Sequence, residues 1–322
     1  MGGPFRFGLI GVGRWGKVYI RTVLSLGDRC RVSHIGTSST ANASLLPYPV
    51  TVTGDWRVVV RSDCDGVIIA TPPHTHAEIL EACLQAGKPV IVEKPLCLDV
   101  RTAERVHVRA EAAGVPVLVN HTLLFDPGYQ RLKEVLRTGG EAIRVILSEG
   151  AALGPFRADT PALWDWCAHD FSLCLDLLRE VPLEVAALGG PVNLRGQPDL
   201  VSIRLGFPNG ACAWIQSGRL SPERRRNLNV FTDQHLYMLD MARHGSSERL
   251  TVCSFPFSSR YEAPAAAVGD RRAIVVFSDR SPMMNVITYF LDVLDGANRH
   301  LLGTALGLEV VKLLASCAGV LK

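Results

Sequence analysis

No apolar run in this chain of 322 residues approaches the ~20 needed to cross a bilayer, and that argues against a membrane-spanning helix. The segment Phe5–Gly13 lacks the long apolar region and the small-residue cleavage site of a secretory leader. It reads as a strand feeding a glycine turn, and a cytoplasmic location is the expectation. Charge of one sign is scarce: 34 lysines and arginines against 31 aspartates and glutamates leave a net +3. That is too little to argue for nucleic acid or an anionic membrane surface. Nine cysteines, an odd number, include no C-x-x-C pair. A zinc cluster and a disulfide frame are therefore not expected, and the cysteines read as buried thiols in a reducing compartment. Internal repeats and low-complexity stretches are missing as well.

What is present is a globular composition, 48% hydrophobic and 20% charged, over a length that accommodates two domains. Arg6–Gly11 is an apolar strand running into Gly11-Val-Gly-Arg-Trp-Gly16, which matches G-x-G-x-x-G. A helical pattern follows through Val18, Thr22, Val23 and Leu26. In a dinucleotide site the first glycine permits the tight turn, the second lets a pyrophosphate approach, and the third lets helix and strand pack closely. The helix N-terminus offers its free N–H groups to the phosphates. Gly11, Gly13, Arg14, Trp15 and Gly16 are therefore candidate cofactor residues.

Arg31–Gly36 reads as the second strand, and Gly36-Thr37-Ser38-Ser39-Thr40 follows it with no acidic residue. An Asp or Glu at this point commonly holds the ribose hydroxyls of NAD. Hydroxyl side chains at Thr37, Ser38 and Ser39 tolerate a 2′-phosphate better, and Arg14 is positioned to lie nearby, so the reading leans toward NADP. A polar loop with no part in the choice is the alternative. Ala41–Gly54 reads as a loop.

Gly66–Thr71 is a short buried strand ended by Pro72-Pro73. Thr75-His-Ala-Glu78 has capping-box spacing, with a helix expected as far as Gly87. His74 and His76 stand two apart at the helix entrance. Nothing supplies further metal ligands, so they are assigned to the cap and the cofactor surroundings. Val90-Ile-Val-Glu-Lys-Pro95 is a strand without alternation, as suits a parallel sheet covered on both faces. On its own, Glu93-Lys94-Pro95 reads sooner as a surface ion pair before a turn proline. A helix over about 99–113 and a strand Val115–Val119 lead to Asn120-His121. Alternating strands and helices predict a parallel sheet with right-handed crossovers. The unusual segments Gly11–Gly16, Thr71–Pro73, Glu93–Pro95 and Asn120–His121 each follow an apolar strand directly, so all line one sheet edge. That convergence raises Lys94 to a candidate catalytic residue. Thr71, Pro72, His76, Glu93, Lys94 and Asn120 join the candidate cofactor set.

The second half differs. Gly139-Gly140 follows a helix, Glu141–Glu149 reads as a strand, and Pro161–Val181 reads as a helix with Asp165 and His169 at i and i+4 on one face. A solvated face or a buried, hydrogen-bonded histidine is the plainer explanation of that pair. Leu200–Phe207, Ala211–Ser217, Asn227–Thr232 and Leu236–Asp240 resemble antiparallel strands, Arg224-Arg-Arg226 a solvated turn, and two helices close the chain. The domains are expected to span 1–122 and 123–322.

Gly11-Val-Gly-Arg-Trp-Gly16, Ala70-Thr-Pro-Pro-His-Thr-His76, Ala86-Gly-Lys-Pro-Val-Ile-Val-Glu-Lys-Pro95 and Asp165-x-x-x-His169 together resemble the glucose–fructose oxidoreductase / inositol dehydrogenase (Gfo/Idh/MocA) family. Pro222–Asp240 resembles that family's sheet, and the resemblance covers nearly the whole chain. It implies an α/β fold: a Rossmann domain followed by an α/β domain with a large open, mostly antiparallel sheet. It also implies NAD(P)-dependent chemistry on a sugar, sugar nucleotide or cyclitol, with Lys94, Asp165 and His169 in the catalytic positions. A homodimer or homotetramer through the C-terminal sheet follows from the same resemblance. The missing acid after the second strand departs from NAD-using members and puts the cofactor in question. A catalytically silent NAD(P)-binding sensor on the same fold is the competing function. Retention of Lys94 with Asp165 and His169 argues against it.

The residue types suit the implied reaction. A lysine near an oxidised nicotinamide and an imidazole can give or take the alcohol proton and stabilise a developing alkoxide. His169 is the alternative base, with Asp165 orienting it or relaying its proton. Lys94 and His169 are accordingly expected to meet over one substrate lying between the domains.

Overall fold

The structure is a computed structural model that describes residues 3–38, 46–156, 160–193, 196–243, 245–255, 269–278, 280–296 and 303–321. Ser39, one of the candidate cofactor residues, lies outside them. The chain forms two compact units: Met1–His121 with Met283–Lys312, and Thr122–Pro282 with Leu313–Lys322.

In the first unit, strands β1 (Phe5–Ile10), β2 (Cys30–Gly36), β3 (Thr51–Thr53), β4 (Gly66–Ile69), β5 (Val90–Glu93) and β6 (Val117–Asn120) form one sheet in the order β3-β2-β1-β4-β5-β6, every pair parallel. Helices α1 (Arg14–Ser25), α2 (Trp56–Arg61), α3 (His76–Gln85) and α4 (Val100–Ala113) connect them. The strands are unbroken apolar runs because both faces are covered: Val67, Ile68, Ile69, Val90, Ile91 and Val92 are fully buried. The strand order reverses at β1 and β4, the switch point where open sheets of this kind hold ligands.

Two details differ from the sequence expectation. The stretch taken as a loop contains β3, whose Thr-Val-Thr pairs with His34–Gly36 at the sheet edge, the β-branched residues finding a ladder there. The capping box at Thr75 does not form. The Thr75 hydroxyl instead donates to Pro72 O at 2.8 Å and lies 2.6 Å from the Thr71 hydroxyl, and no side chain caps α3. Other signals hold: Asp99 accepts from Thr102 N at the start of α4, and Gly114 ends that helix with φ +62°.

Helix α7 (Pro282–Leu294), late in the chain, belongs to the first unit rather than to a contiguous second block. Its apolar face explains the grouping. Val286, Ile287, Phe290 and Leu291 are fully buried, and the Phe290 ring lies 6.3 Å from that of Phe7 in β1.

The second unit contains α5 (Pro127–Gly139), α6 (Ala168–Leu178) and eight strands: β7 (Ile143–Leu153), β8 (Glu184–Gly189), β9 (Leu200–Gly206), β10 (Cys212–Gly218), β11 (Leu220–Thr232), β12 (His235–Asp240), β13 (Leu250–Ser254) and β14 (Arg272–Ile274). Helix α8 (Thr304–Val320) ends the chain. The sheet order is β14-β13-β12-β11-β7-β10-β9-β8, antiparallel except for the parallel pair β7 and β10. Eight cysteines are buried thiols and Cys212 is half-buried. No helix among the described residues is long and apolar enough to cross a membrane.

Candidate active site

The carboxyl edge of the six-stranded sheet collects most of the candidate residues. Gly11 has φ +93°, and a Cβ there would sit 2.7 Å from Ala70 O. A Cβ on Gly16 would collide with the Gly11 carbonyl. Both glycines are thus required by the turn and by close helix–strand packing. Gly13 is different. Its φ is −72° and a Cβ would meet nothing within 4 Å. Gly13 is also the N-cap of α1, with no side-chain hydrogen bond to the first turn. A helix start with unclaimed N–H groups and open space at Gly13 fits the pyrophosphate of a dinucleotide. Arg14 is exposed and Trp15 half-buried on that first turn. Thr37 donates its N–H to Thr53 O at 2.9 Å, and Ser38 is exposed just beyond β2.

Two turns lie beside the glycine loop. Pro72 is exposed and Thr71 half-buried after β4. His76 is fully buried, with Nε2 2.9 Å from Thr71 O and Nδ1 2.9 Å from Pro95 O. It ties the turn after β4 to the turn after β5. Burial pushes its imidazole down, against the pull of the two carbonyls. The Lys94–Pro95 peptide is cis.

At the ends of β5 and β6, Glu93 and Asn120 are buried in a closed triangle with Tyr19 of α1. Tyr19 Oη donates to Glu93 Oε1 at 3.0 Å, and Asn120 Nδ2 lies 2.7 Å from both Tyr19 Oη and Glu93 Oε1. Burial pushes the Glu93 carboxyl up, while Asn120, the Lys94 charge and Tyr19 pull it back. Lys94 itself is 8% exposed. His121 is fully buried, and burial together with the Lys94 charge pushes its imidazole down to about 3.

In the second unit, Asp165 lies in a π-helical turn, Leu163–Cys167, that leads into α6. Such turns occur frequently at functional sites. Asp165 Oδ2 accepts from Arg219 Nη2 at 3.2 Å, and Arg219, 1% exposed, also donates to Thr160 O at 2.8 Å. His169 is half-buried one turn later, on α6. Its neighbour Asp170 points into the core. It accepts from Ser148 Oγ on β7 and Ser217 Oγ on β10, each at 2.6 Å, and from Arg226 Nη1 on β11 at 3.1 Å. One carboxylate thereby pins α6 to three adjacent strands. Gly150 leaves the room: a Cβ there would run into the Arg226 guanidinium.

Residues 5–121 match the family described as the oxidoreductase family GFO_IDH_MocA, with an NAD-binding Rossmann fold. Over 98% of its length the chain superposes with a TM-score of 0.86 and 36% identity on 99% of a protein of Magnetospirillum magnetotacticum MS-1 assigned as an oxidoreductase. The chain belongs to the Gfo/Idh/MocA oxidoreductase family. Inositol 2-dehydrogenase of Rhizobium meliloti (strain 1021) is 29% identical over 66% of this chain and 68% of its own length. UDP-N-acetylglucosamine 3-dehydrogenase of Acidithiobacillus ferrooxidans is 26% identical over 73% of this chain and 74% of its own. This Gfo/Idh/MocA chain is thus an NAD-binding dehydrogenase by family.

Several residues buried beside the candidate residues of one unit or the other carry no motif. Tyr19 sits at helical spacing on an apolar face and looks like core. Arg226 belongs to β11 and is buried against Asp170, not in a solvated turn as its Arg-Arg-Arg context suggested, because β11 begins at Leu220. Arg219 precedes that strand with no sequence signal. Asp170 carried one weak hint, a carboxylate on the side of α6 away from Asp165.

Proposed function

We propose that the enzyme moves a hydride between NAD(P) and a secondary alcohol or ketone of a sugar, sugar nucleotide or cyclitol. Lys94 carries the reading. It stands at the carboxyl end of β5, almost enclosed, at the same edge as the Gly13 cradle. The cofactor supplies or accepts the hydride when bound. Gly11, Gly13 and Gly16 admit the pyrophosphate, and the first turn of α1 binds it. Lys94 passes a proton to or from the reacting oxygen and stabilises its negative charge, with the Glu93 carboxyl behind it. His169 is the alternative base. Asp165, set by Arg219, holds His169 in place. The dehydrogenase relatives named for inositol and for UDP-N-acetylglucosamine support a polyhydroxylated substrate. Exposed Trp214 and Leu188 on one face of the eight-stranded sheet support self-association there into a dimer or tetramer.

The test is a panel of cyclitols, sugars and sugar nucleotides followed by nicotinamide absorbance. On the substrate found, Lys94→Ala lowers turnover ~10²–10⁴-fold and His169→Ala by a similar factor or less. If they share one proton path, the double variant loses less than the product of the single losses. Dinucleotide binding survives in all three. Near-normal turnover by Lys94→Ala defeats the assignment. Dinucleotide binding without hydride exchange on any compound favours the sensor.

A further inference from the structure

His121 is a buried group at the sheet edge that the scheme above leaves without work. Strands β5 and β6 run parallel with Glu93 opposite Asn120. The next residues, Lys94 and His121, therefore stand side by side on adjacent strand ends, and the lysine charge is felt at the imidazole. His121 is 0% exposed, and neither Nδ1 nor Nε2 has a hydrogen-bond partner among the described residues. A buried polar side chain in that condition is costly, and an apolar ring would serve packing better.

We propose that His121 is a positioning residue for Lys94, its imidazole offering a ring nitrogen as acceptor to the lysine ammonium and holding the amine at the sheet edge. The proposal rests on Lys94 being the proton-handling group beside the nicotinamide. An imidazole uncharged through the neutral range keeps one nitrogen free to accept. The lysine stem is flexible enough to bring its ammonium to that ring. Glu93, from its own strand, and His76, from α3, also face Lys94. Neither is altered in the variants below.

The test needs no substrate. An oxidised nicotinamide is positively charged and a reduced one is neutral, so an adjacent ammonium weakens binding of the oxidised form alone. The ratio of the two dissociation constants, followed against pH by calorimetry and fluorescence, reads the charge on Lys94. NAD+ with NADH and NADP+ with NADPH are both titrated, and the tighter pair is used. In wild type the ratio falls as pH rises. In His121→Phe the ammonium loses the imidazole as one acceptor and gives up its proton sooner, so the midpoint moves down by at least about half a pH unit. Tm holds or rises. His121→Leu shows the same displacement, and His121→Gln, which restores an acceptor, returns the midpoint toward wild type. An unmoved midpoint in the folded Phe or Leu variant overturns the proposal, and a lower Tm beside it makes His121 a packing residue. Lys94→Ala is the control. If it keeps the wild-type pH dependence, the placement of Lys94 beside the nicotinamide has failed instead.

Discussion

Substituting the three glycines of the first turn separates folding from binding, because the structure gives each a different reason to be glycine. Gly11→Ala puts a side chain on a left-handed backbone, which costs ~1–2 kcal/mol, and sets its Cβ 2.7 Å from a carbonyl oxygen. At roughly 2–4 °C per kcal/mol for a unit of 150–250 residues, Tm falls by roughly 2–8 °C before the contact is counted. Gly16→Ala meets backbone directly and does at least as much damage. A Cβ at Gly13 meets no protein atom within 4 Å, and Gly13→Val needs no unusual φ. Its stability cost is the weaker N-cap alone, about 1 kcal/mol or less. The valine does fill the space over the first turn of α1. Dinucleotide affinity then falls at least tenfold, ~1.4 kcal/mol. Thermal melts paired with NADH and NADPH fluorescence titrations read both quantities. A folded Gly13→Val protein with wild-type affinity would refute the pyrophosphate cradle. An equally large Tm loss at Gly13 and Gly11 would refute the division of roles.

Three further outcomes concern the cofactor, the core of the second unit and pH. Ser38→Asp places a carboxylate at the exposed end of β2 and shifts preference toward NAD by repelling a 2′-phosphate; wild type binds NADP at least as tightly as NAD, and a strong wild-type preference for NAD in parallel titrations would show the lean to be mistaken. Asp170→Asn leaves Arg226 without its buried partner and costs ~3–5 kcal/mol, seen as a large drop in Tm, while a loss under 1 kcal/mol would mean that the serines alone pin α6. Acidification lowers Tm through His121: its folded pKa of about 3 lies below the unfolded value of ~6.5, so this stability is complete above pH ~6.5 and drains away as pH falls toward 3. His121→Phe flattens that limb of the Tm–pH curve, and an unchanged slope would show that the imidazole is not held neutral.

How far the sequence reached is itself physical. The carboxyl edge of the six-stranded sheet was legible because each of its features is local. A glycine turn, an apolar strand and the residue that ends it lie within a few positions of one another, and parallel topology then sends every strand end to one edge. The sequence therefore brought Gly11, Thr71, Lys94 and Asn120 to one edge before any contact was known. Glu93 and Asn120 show the limit of that reasoning. Both were assigned to the cofactor by position, yet their side chains close a triangle with Tyr19, 74 positions from Glu93. Nothing local distinguishes a tyrosine that packs from one that donates to a buried carboxylate.

The second unit was harder because its decisive contacts join strands through non-local pairing. The Asp165–His169 spacing is a helical signal, but its π turn has no sequence mark, and Asp165 is set by Arg219, 54 positions away. Arg226 is the clearest case. Three consecutive arginines look solvated on composition, and the in-and-out alternation of β11 begins only at Arg226, past a register shift between Leu220 and Arg225 that has no sequence mark. Arg224 and Arg225 remain in water, and Arg226 alone turns in to meet Asp170. A desolvated guanidinium is tolerable there only because the helix delivers a carboxylate and two strands deliver serine hydroxyls to the same point. That convergence links the residue after His169 to β7, β10 and β11. That core network lies outside the Asp-x-x-x-His motif, which holds none of its members.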